Sequence, residues 1–368
     1  MQKHRDLTLK RLLTFQKLLE SHIYTHAIPV ELSHFAAPGR IKVEEAMQAQ
    51  YQTVTTGIRL QPFWSTHWFK IHSVIPNDWK GQEVHFIWDS SSEACIWVDG
   101  QPKQGLTGSN NGYSDLPVRS AFPVVKQASG GEVVNLMVEA AMNNFFGIST
   151  SDPRKNEGIG WLRQAELAIF DRNVWNTYWD YVIVADMARY LPQDSPRAGQ
   201  ALFTANQMVN TIDWDDSTSY QQAREIAAKF LSQTNGEAQH RLSVLGHAHI
   251  DTAWLWPIAE TKRKCVRTFS SALSLMDLYP QFRFVCSQAQ QLNWIKIEYP
   301  DLYQRILKKV RTGQFIPAGG TWVEPDTNVP NGESLVRQFL YGQKFFNQEF
   351  GAISEIFWEP DVFGYSAA

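Results

Sequence analysis

The chain has 368 residues, a formal net charge of -3, 43% hydrophobic residues and 19% charged residues. So large an apolar share excludes a mainly disordered chain, and the near-neutral balance excludes the basic footprint of a nucleic-acid or anionic-membrane binder. The length implies two or three domains rather than one core.

Residues 1–24 read as an amphipathic helix, with Leu9, Leu12, Leu13, Leu18 and Leu19 interleaved with Lys10, Arg11 and Lys17. It has no uninterrupted apolar core of the kind a secretory leader carries. From about 55 to 172 short β runs follow at regular spacing: 68–75 ending at Pro76, 83–88, and 95–98 running into Asp99-Gly100, a hairpin signal. A run over 133–140 and a closing one over 161–170 complete the set. Short strands without long helices between them predict a jelly-roll-like β-sandwich. His67, His72 and His85 lie there without carboxylates at ligand spacing and read as surface or packed histidines. The polar loop 105–112 reads as a solvated connection, with ligand contact as the alternative.

Residues 174–231 turn helical, with Trp175, Tyr178, Trp179, Val182, Ile183 and Met187 at helical spacing, then helices over 201–212 and 220–231. From 241 onward strand and helix alternate. Strands are expected at 242–246, 282–286, 315–318 and 353–358, with helices over 258–277, two reaching 310, and one over 333–349. That succession implies right-handed crossovers and a mostly parallel sheet, part of an incomplete (β/α) barrel-like domain. The expected organisation is therefore multidomain: an N-terminal helix (1–30), a β-sandwich (31–173), a helical linker (174–236) and an α/β domain (237–368).

The most informative segment is Gly246-His247-Ala248-His249-Ile250-Asp251-Thr252-Ala253-Trp254, directly after an apolar run. On an extended backbone residues 247, 249 and 251 face one way, beyond the carboxyl end of a strand, where open α/β sheets put their ligands. A single buried histidine is usually satisfied structure. Three polar side chains in phase would each cost several kcal/mol if buried unpaired, and imidazole with carboxylate suits zinc or a similar divalent metal. His249 and Asp251 are the best direct ligands, and His247 a ligand or the group that orients one. Asp361, in Trp358-Glu359-Pro360-Asp361-Val362-Phe363-Gly364-Tyr365, reaches the same rim as ligand or nucleophile, or else caps a helix. Glu359 is a weaker rival. Trp254, Trp322, Glu324 and Asp326 could frame a pocket, each alone a weak signal.

These residues point to a metal-assisted hydrolase, and two blocks resemble glycoside hydrolase family 38, the α-mannosidases. Residues 246–257 resemble its first metal motif and 358–365 its nucleophile motif; 286–291, 319–324 and 337–339 are similar too. Upstream, 202–210 and the β-rich front resemble the cytosolic branch, whose fungal relatives act in the vacuole. The resemblance implies His249, Asp251 and Asp361 as ligands of one zinc (or cobalt) ion per chain, with Asp361 also the nucleophile. It implies Trp254 at the sugar; from their positions, Trp322 and Asp326 are expected to join it there and His247 to lie behind the ligands. The implied activity is retaining hydrolysis of terminal α-linked mannose from free oligosaccharides, by a cytoplasmic protein without nucleic-acid or membrane partners, homo-oligomeric in full-length form. The family's fourth ligand, a histidine, and its general acid lie beyond the nucleophile motif, so a chain stopping at Ala368 is expected to be partial and weakly active.

Two other classes compete. An amidohydrolase or a polysaccharide deacetylase would use metal-bound hydroxide and need no carboxylate nucleophile. A non-catalytic carbohydrate-binding or scaffold protein would use the sandwich and the fourteen tryptophans. The three separated cysteines, Cys95, Cys265 and Cys286, argue for a reducing compartment, and no stretch is apolar enough to span a bilayer.

Overall fold

A computed structural model describes residues 4–109, 118–143, 147–148, 153–234 and 242–367. Residues 110–112 of the loop discussed above lie outside that description. In chain order the elements begin with α1 (Arg5–Ser21), β1 (Tyr24–Pro29), β2 (Glu31–Ala37), α2 (Val43–Gln48), β3 (Gln52–Val54) and β4 (Thr66–Val74). Next come β5 (Glu83–Asp89), β6 (Glu93–Val98), β7 (Gln101–Thr107), β8 (Ala121–Val125), β9 (Val133–Ala141) and β10 (Gln164–Phe170). Three helices follow, α3 (Arg172–Tyr190), α4 (Pro196–Thr211) and α5 (Thr218–Leu231). The last part contains β11 (Gly246–His247), α6 (Ile258–Leu278), β12 (Phe284–Gln288), α7 (Ala289–Glu298), α8 (Pro300–Arg311), β13 (Phe315–Thr321) and α9 (Gly332–Phe350). No helix among the described residues is long and apolar enough to cross a membrane.

The β-rich part is a sandwich. One sheet has the order β1-β10-β5-β8 and the other β3-β2-β4-β9-β6-β7, with every pairing antiparallel. Phe69, Ile71, Phe86, Trp88, Ile96, Val138 and Leu167 fill the space between them. Strand alternation sends the neighbours of these residues outward. Trp68, Cys95 and Trp97 leave the sandwich core and join the one built on α6, Phe284 and Phe315. The apolar run 95–98 thus reflects a strand covered on both faces, which strict in-out alternation would not produce. Strands β1 to β3 begin the sandwich earlier than the periodicity at 55 suggests.

Helices α1, α3, α4 and α5 share a core of Leu12, Phe15, Leu19, Tyr181, Val184, Ala201, Met208 and Phe230. Tyr181 donates from its hydroxyl to the Leu12 carbonyl at 2.8 Å, which satisfies a polar atom in that core. Asp171 caps α3 by accepting from the Asn173 and Val174 amides at 2.9 and 3.0 Å, so the helix starts where the sandwich's last strand stops. The buried face of α3 is Val174, Thr177, Tyr181, Val184, Ala185 and Ala188; of the expected stripe, Trp175, Tyr178 and Met187 pack partly against that core while Trp179 and Ile183 are exposed.

The α/β part contains a parallel sheet ordered β11-β12-β13, flanked by α6 to α9. Two expected strands do not form as predicted. Only Gly246–His247 pairs in the first, because Leu242 and Val244 have no covering neighbour and are 92% and 91% exposed. Residues 353–358 form no strand. α9 holds them from the side instead: Gln343 donates to the Ser354 carbonyl at 2.8 Å and accepts from its amide at 2.9 Å. With three strands, the sheet shows no barrel closure among the described residues.

Candidate metal centre

The centre lies at the carboxyl end of the parallel sheet. His247 ends β11, and the chain then runs through His249 and Asp251 before entering α6. Two glutamines pin this loop to the sheet. Gln288 and Gln291 each donate to the Ile250 carbonyl, at 2.8 and 2.7 Å, and Thr252 Oγ1 donates to Gln288 Oε1 at 2.5 Å. Asp361 arrives on the irregular segment after α9. Thr327 Oγ1 donates to the Gly364 carbonyl, the Ser366 amide donates to Thr327 O at 3.2 Å, and Phe357 packs on Phe339.

His249, Asp251 and Asp361 each offer one donor atom, and the three atoms lie within 4.8 Å of one another. His249 Nε2 is 3.4 Å from Asp251 Oδ1 and 3.6 Å from Asp361 Oδ2. Those separations are long for hydrogen bonds. They match the edge of about 3.4 Å expected of a tetrahedron with metal–ligand bonds of about 2.1 Å. The opposite ring nitrogen is occupied: His249 Nδ1 lies 2.8 Å from Glu324 Oε2, and Ser287 donates to the other Glu324 oxygen. With Nδ1–H donating to Glu324, the Nε2 lone pair faces the two aspartates, the arrangement by which a carboxylate orients a metal-binding histidine.

The charges also favour a cation. The Glu324 hydrogen bond, with added pull from Asp251, overcomes burial and pushes His249 up to about 9. Glu359 is half-buried, its two oxygens have no hydrogen-bond partner among the described residues, and burial with the Glu324 charge pushes it up to about 8. One imidazole thus faces Asp251, Asp361, Glu324 and Glu359. A divalent ion would relieve that excess, so donor set, spacing and charge all fit a metal.

The other candidates have different surroundings. His247 does not join the cluster; its ring meets Trp358 edge-on at 5.3 Å, and burial lowers its pKa. The group that meets the Nδ1 side of His249 is Glu324. Trp254 is exposed. Trp322 donates from Nε1 to Gln290 at 3.0 Å and packs on Phe345. Asp326 turns its carboxylate onto the Asn328 and Val329 amides, at 2.6 and 2.9 Å. The part played by Glu324 depends on a bulge. Gly319 and Gly320, both at positive φ, insert two residues between the Cys286–Pro317 and Gln288–Thr321 pairs, and a Cβ at Gly319 would lie 2.6 Å from the Ser287 carbonyl. The Gly-Gly pair at a strand end is the one signal that could have drawn attention to the residues after it.

In the sandwich, His67 and His85 are buried and His72 is on the exposed side of its strand. His67 bonds His34 and Ser65, and His85 bonds Tyr24 and Glu83, so both are packed structural histidines.

Residues 239–368 match the profile of the glycosyl hydrolases family 38 N-terminal domain, and residues 28–168 that of an alpha-mannosidase jelly roll domain. Alpha-mannosidase 2C1 of Mus musculus is 44% identical over 95% of this chain and 33% of its own length. Its Homo sapiens counterpart is 42% identical over 99% of this chain and 36% of its own length. The alpha-mannosidase of Saccharomyces cerevisiae is 39% identical over 83% of this chain and 29% of its own length. The chain therefore spans about a third of the length of the curated relatives it matches.

Proposed function

Because the chain belongs to glycosyl hydrolase family 38, we propose that it carries the metal- and nucleophile-bearing part of an α-mannosidase acting on mannose-containing oligosaccharides. The observation that carries this reading is the convergence of His249, Asp251 and Asp361 from segments more than a hundred residues apart. His249 Nε2, one oxygen of Asp251 and one of Asp361 would hold a zinc ion, with Glu324 keeping the histidine in its ligating tautomer. When bound, the ion would supply positive charge that draws in the sugar's adjacent hydroxyls and keeps the carboxylates ionised.

The chain's own residues carry the remaining steps. Asp361, half-exposed, attacks the anomeric carbon and the glycosidic oxygen leaves with a proton taken from water, forming a glycosyl ester. Water then cleaves that ester with overall retention. Trp254 offers an exposed indole face for the sugar ring to stack on. The three cysteines are free and buried, in keeping with a cytoplasmic setting.

The test is covalent trapping with an activated 2-fluoro-α-mannoside, followed by peptide mass mapping. An adduct on Asp361 is expected. An adduct on another carboxylate, or turnover through metal-bound hydroxide with no adduct in a protein that cleaves the sugar, refutes the reading.

A further inference from the structure

The face of the sandwich turned toward α6 is unusual for its charge. Glu139 on β9 points out of the sandwich core with its register partners Trp68 and Cys95, and Glu93 on β6 shares the parity of Cys95. Against them α6 presents Arg263, Lys264 and Arg267 together with its own Glu260, and all six side chains are buried. Lys264 Nζ bonds Glu93 Oε2, Arg267 lies 3.2 Å from the same oxygen, and Arg263 lies 2.6 Å from Glu260 Oε2. Asn143, at the end of β9, spans the seam. Its Nδ2 donates to Glu93 at 3.0 Å and to Glu260 at 2.8 Å. Gly105 on β7 lies so close to α6 that a Cβ there would be 2.8 Å from Arg267 Cβ, and its amide donates to Ser271 at 2.8 Å.

The first turns of α6 are also what the metal loop leans on. Thr261, fully buried, donates from Oγ1 to the Thr252 carbonyl at 3.0 Å and accepts from Trp256 Nε1 at 3.0 Å. The Lys264 ammonium sits 4.5 Å from the Trp256 ring centre. The sandwich touches the loop directly as well: Gly147, at φ +98°, is packed so that a Cβ would lie 2.8 Å from the Leu255 carbonyl. Every link between Glu93 and the backbone beside Asp251 is thus a hydrogen bond, an ion pair or a ring contact between adjacent side chains.

We infer that the β-sandwich is a positioning element for the metal site: the buried charges at the seam set the placement of α6, and Thr261 passes that placement to the peptide next to Asp251. This rests on the metal reading proposed above, but the mechanical part can be measured without metal. Thr261 is a positioning residue, since it reaches Asp251 only through the Thr252 backbone.

The test uses the 368-residue chain with Glu93→Gln, Thr261→Val and Thr261→Ser. Zinc affinity is read by competition with a chromophoric chelator, and amide hydrogen exchange is followed across 248–256 in zinc-free protein. Glu93→Gln and Thr261→Val are expected to bind zinc about tenfold more weakly or worse, the usual cost of losing support behind a ligand, and to exchange faster in the loop. Thr261→Ser, which keeps the hydroxyl, is expected to restore both. Wild-type affinity and unchanged exchange in Thr261→Val overturn the inference. If Glu93→Gln fails to fold, Asn143→Ala, which removes the bridge between Glu93 and Glu260, is read in its place. If the unaltered chain binds no zinc, the metal reading falls, and loop exchange in the seam variant still settles whether the seam positions the loop.

Discussion

Two clusters of charged-type residues lie on opposite sides of the same loop, and they are built to opposite rules. At the seam, Glu93, Glu139 and Glu260 meet Arg263, Lys264 and Arg267, three against three, sealed from water and bridged by Asn143. Burial alone would push Glu260 up, but Arg267, Arg263 and Lys264 hold it below the usual carboxylate range. At the metal centre one histidine faces four carboxyl groups, and Asp361 is more than half exposed. The balanced cluster pairs opposite charges within the protein and serves packing, although Asn143 Oδ1, Arg263 Nε and Arg267 Nε have no hydrogen-bond partner among the described residues. The unbalanced one has a deficit of positive charge that only something from outside can supply, and such a deficit marks a functional site.

The difference predicts how each cluster fails. Glu260→Ala leaves Arg263 and Arg267 buried without their partner and should cost about 3–5 kcal/mol of stability, read by urea unfolding. A loss below about 1 kcal/mol would mean the seam is wetter than its geometry implies. His67, beside the seam, is held neutral by burial, which lowers it to about 4, with His34 adding to the effect. Unfolded histidine titrates near 6.5, so the contribution of His67 is intact above pH 6.5 and is lost as pH falls toward 4, by up to about 3 kcal/mol. Unfolding midpoints at pH 7 and pH 4.5 should converge in His67→Gln relative to the unaltered chain.

At the open cluster the expected response is to metal. Zinc at about a hundred times its dissociation constant should add about 2.7 kcal/mol of stability, and Asp361→Ala should abolish that gain. Because a metal must displace the proton that Glu324 helps keep on His249, zinc affinity should rise with pH up to about 9; a flat profile in chelator competition would contradict this. The smallest effect is assigned to Asp326→Ala, which removes the acceptor of two turn amides and should lower the unfolding midpoint only slightly, with zinc affinity unchanged. A large loss of zinc binding there would return Asp326 to the site.

The candidate site was legible in outline because His249 and Asp251 follow a strand end, where periodicity breaks, and Asp361 follows an apolar run. His249 and Asp251 share one short motif, and Asp361 sits in another. Glu324 was legible only as one weak candidate among several, since nothing in its neighbours tells that it accepts from His249. The seam was not singled out, because its acids and its bases come from strands and a helix more than a hundred residues apart and only their packing brings them together. The strand expected at 353–358 shows the reverse error, an apolar run with no neighbour to pair with.

Alternation, helical spacing and ligand-type residues are local properties, so the chain's order of residues already specified a sandwich, a helical unit and an α/β part carrying a metal motif. Which side chains end up sharing an ion, a proton or a buried charge depends on distances between segments remote in sequence, and packing alone decided those. Hence the three residues that converge could be picked out from the sequence, while the contact of His249 with Glu324 and the packing of its loop on α6 emerged only once the layers were stacked.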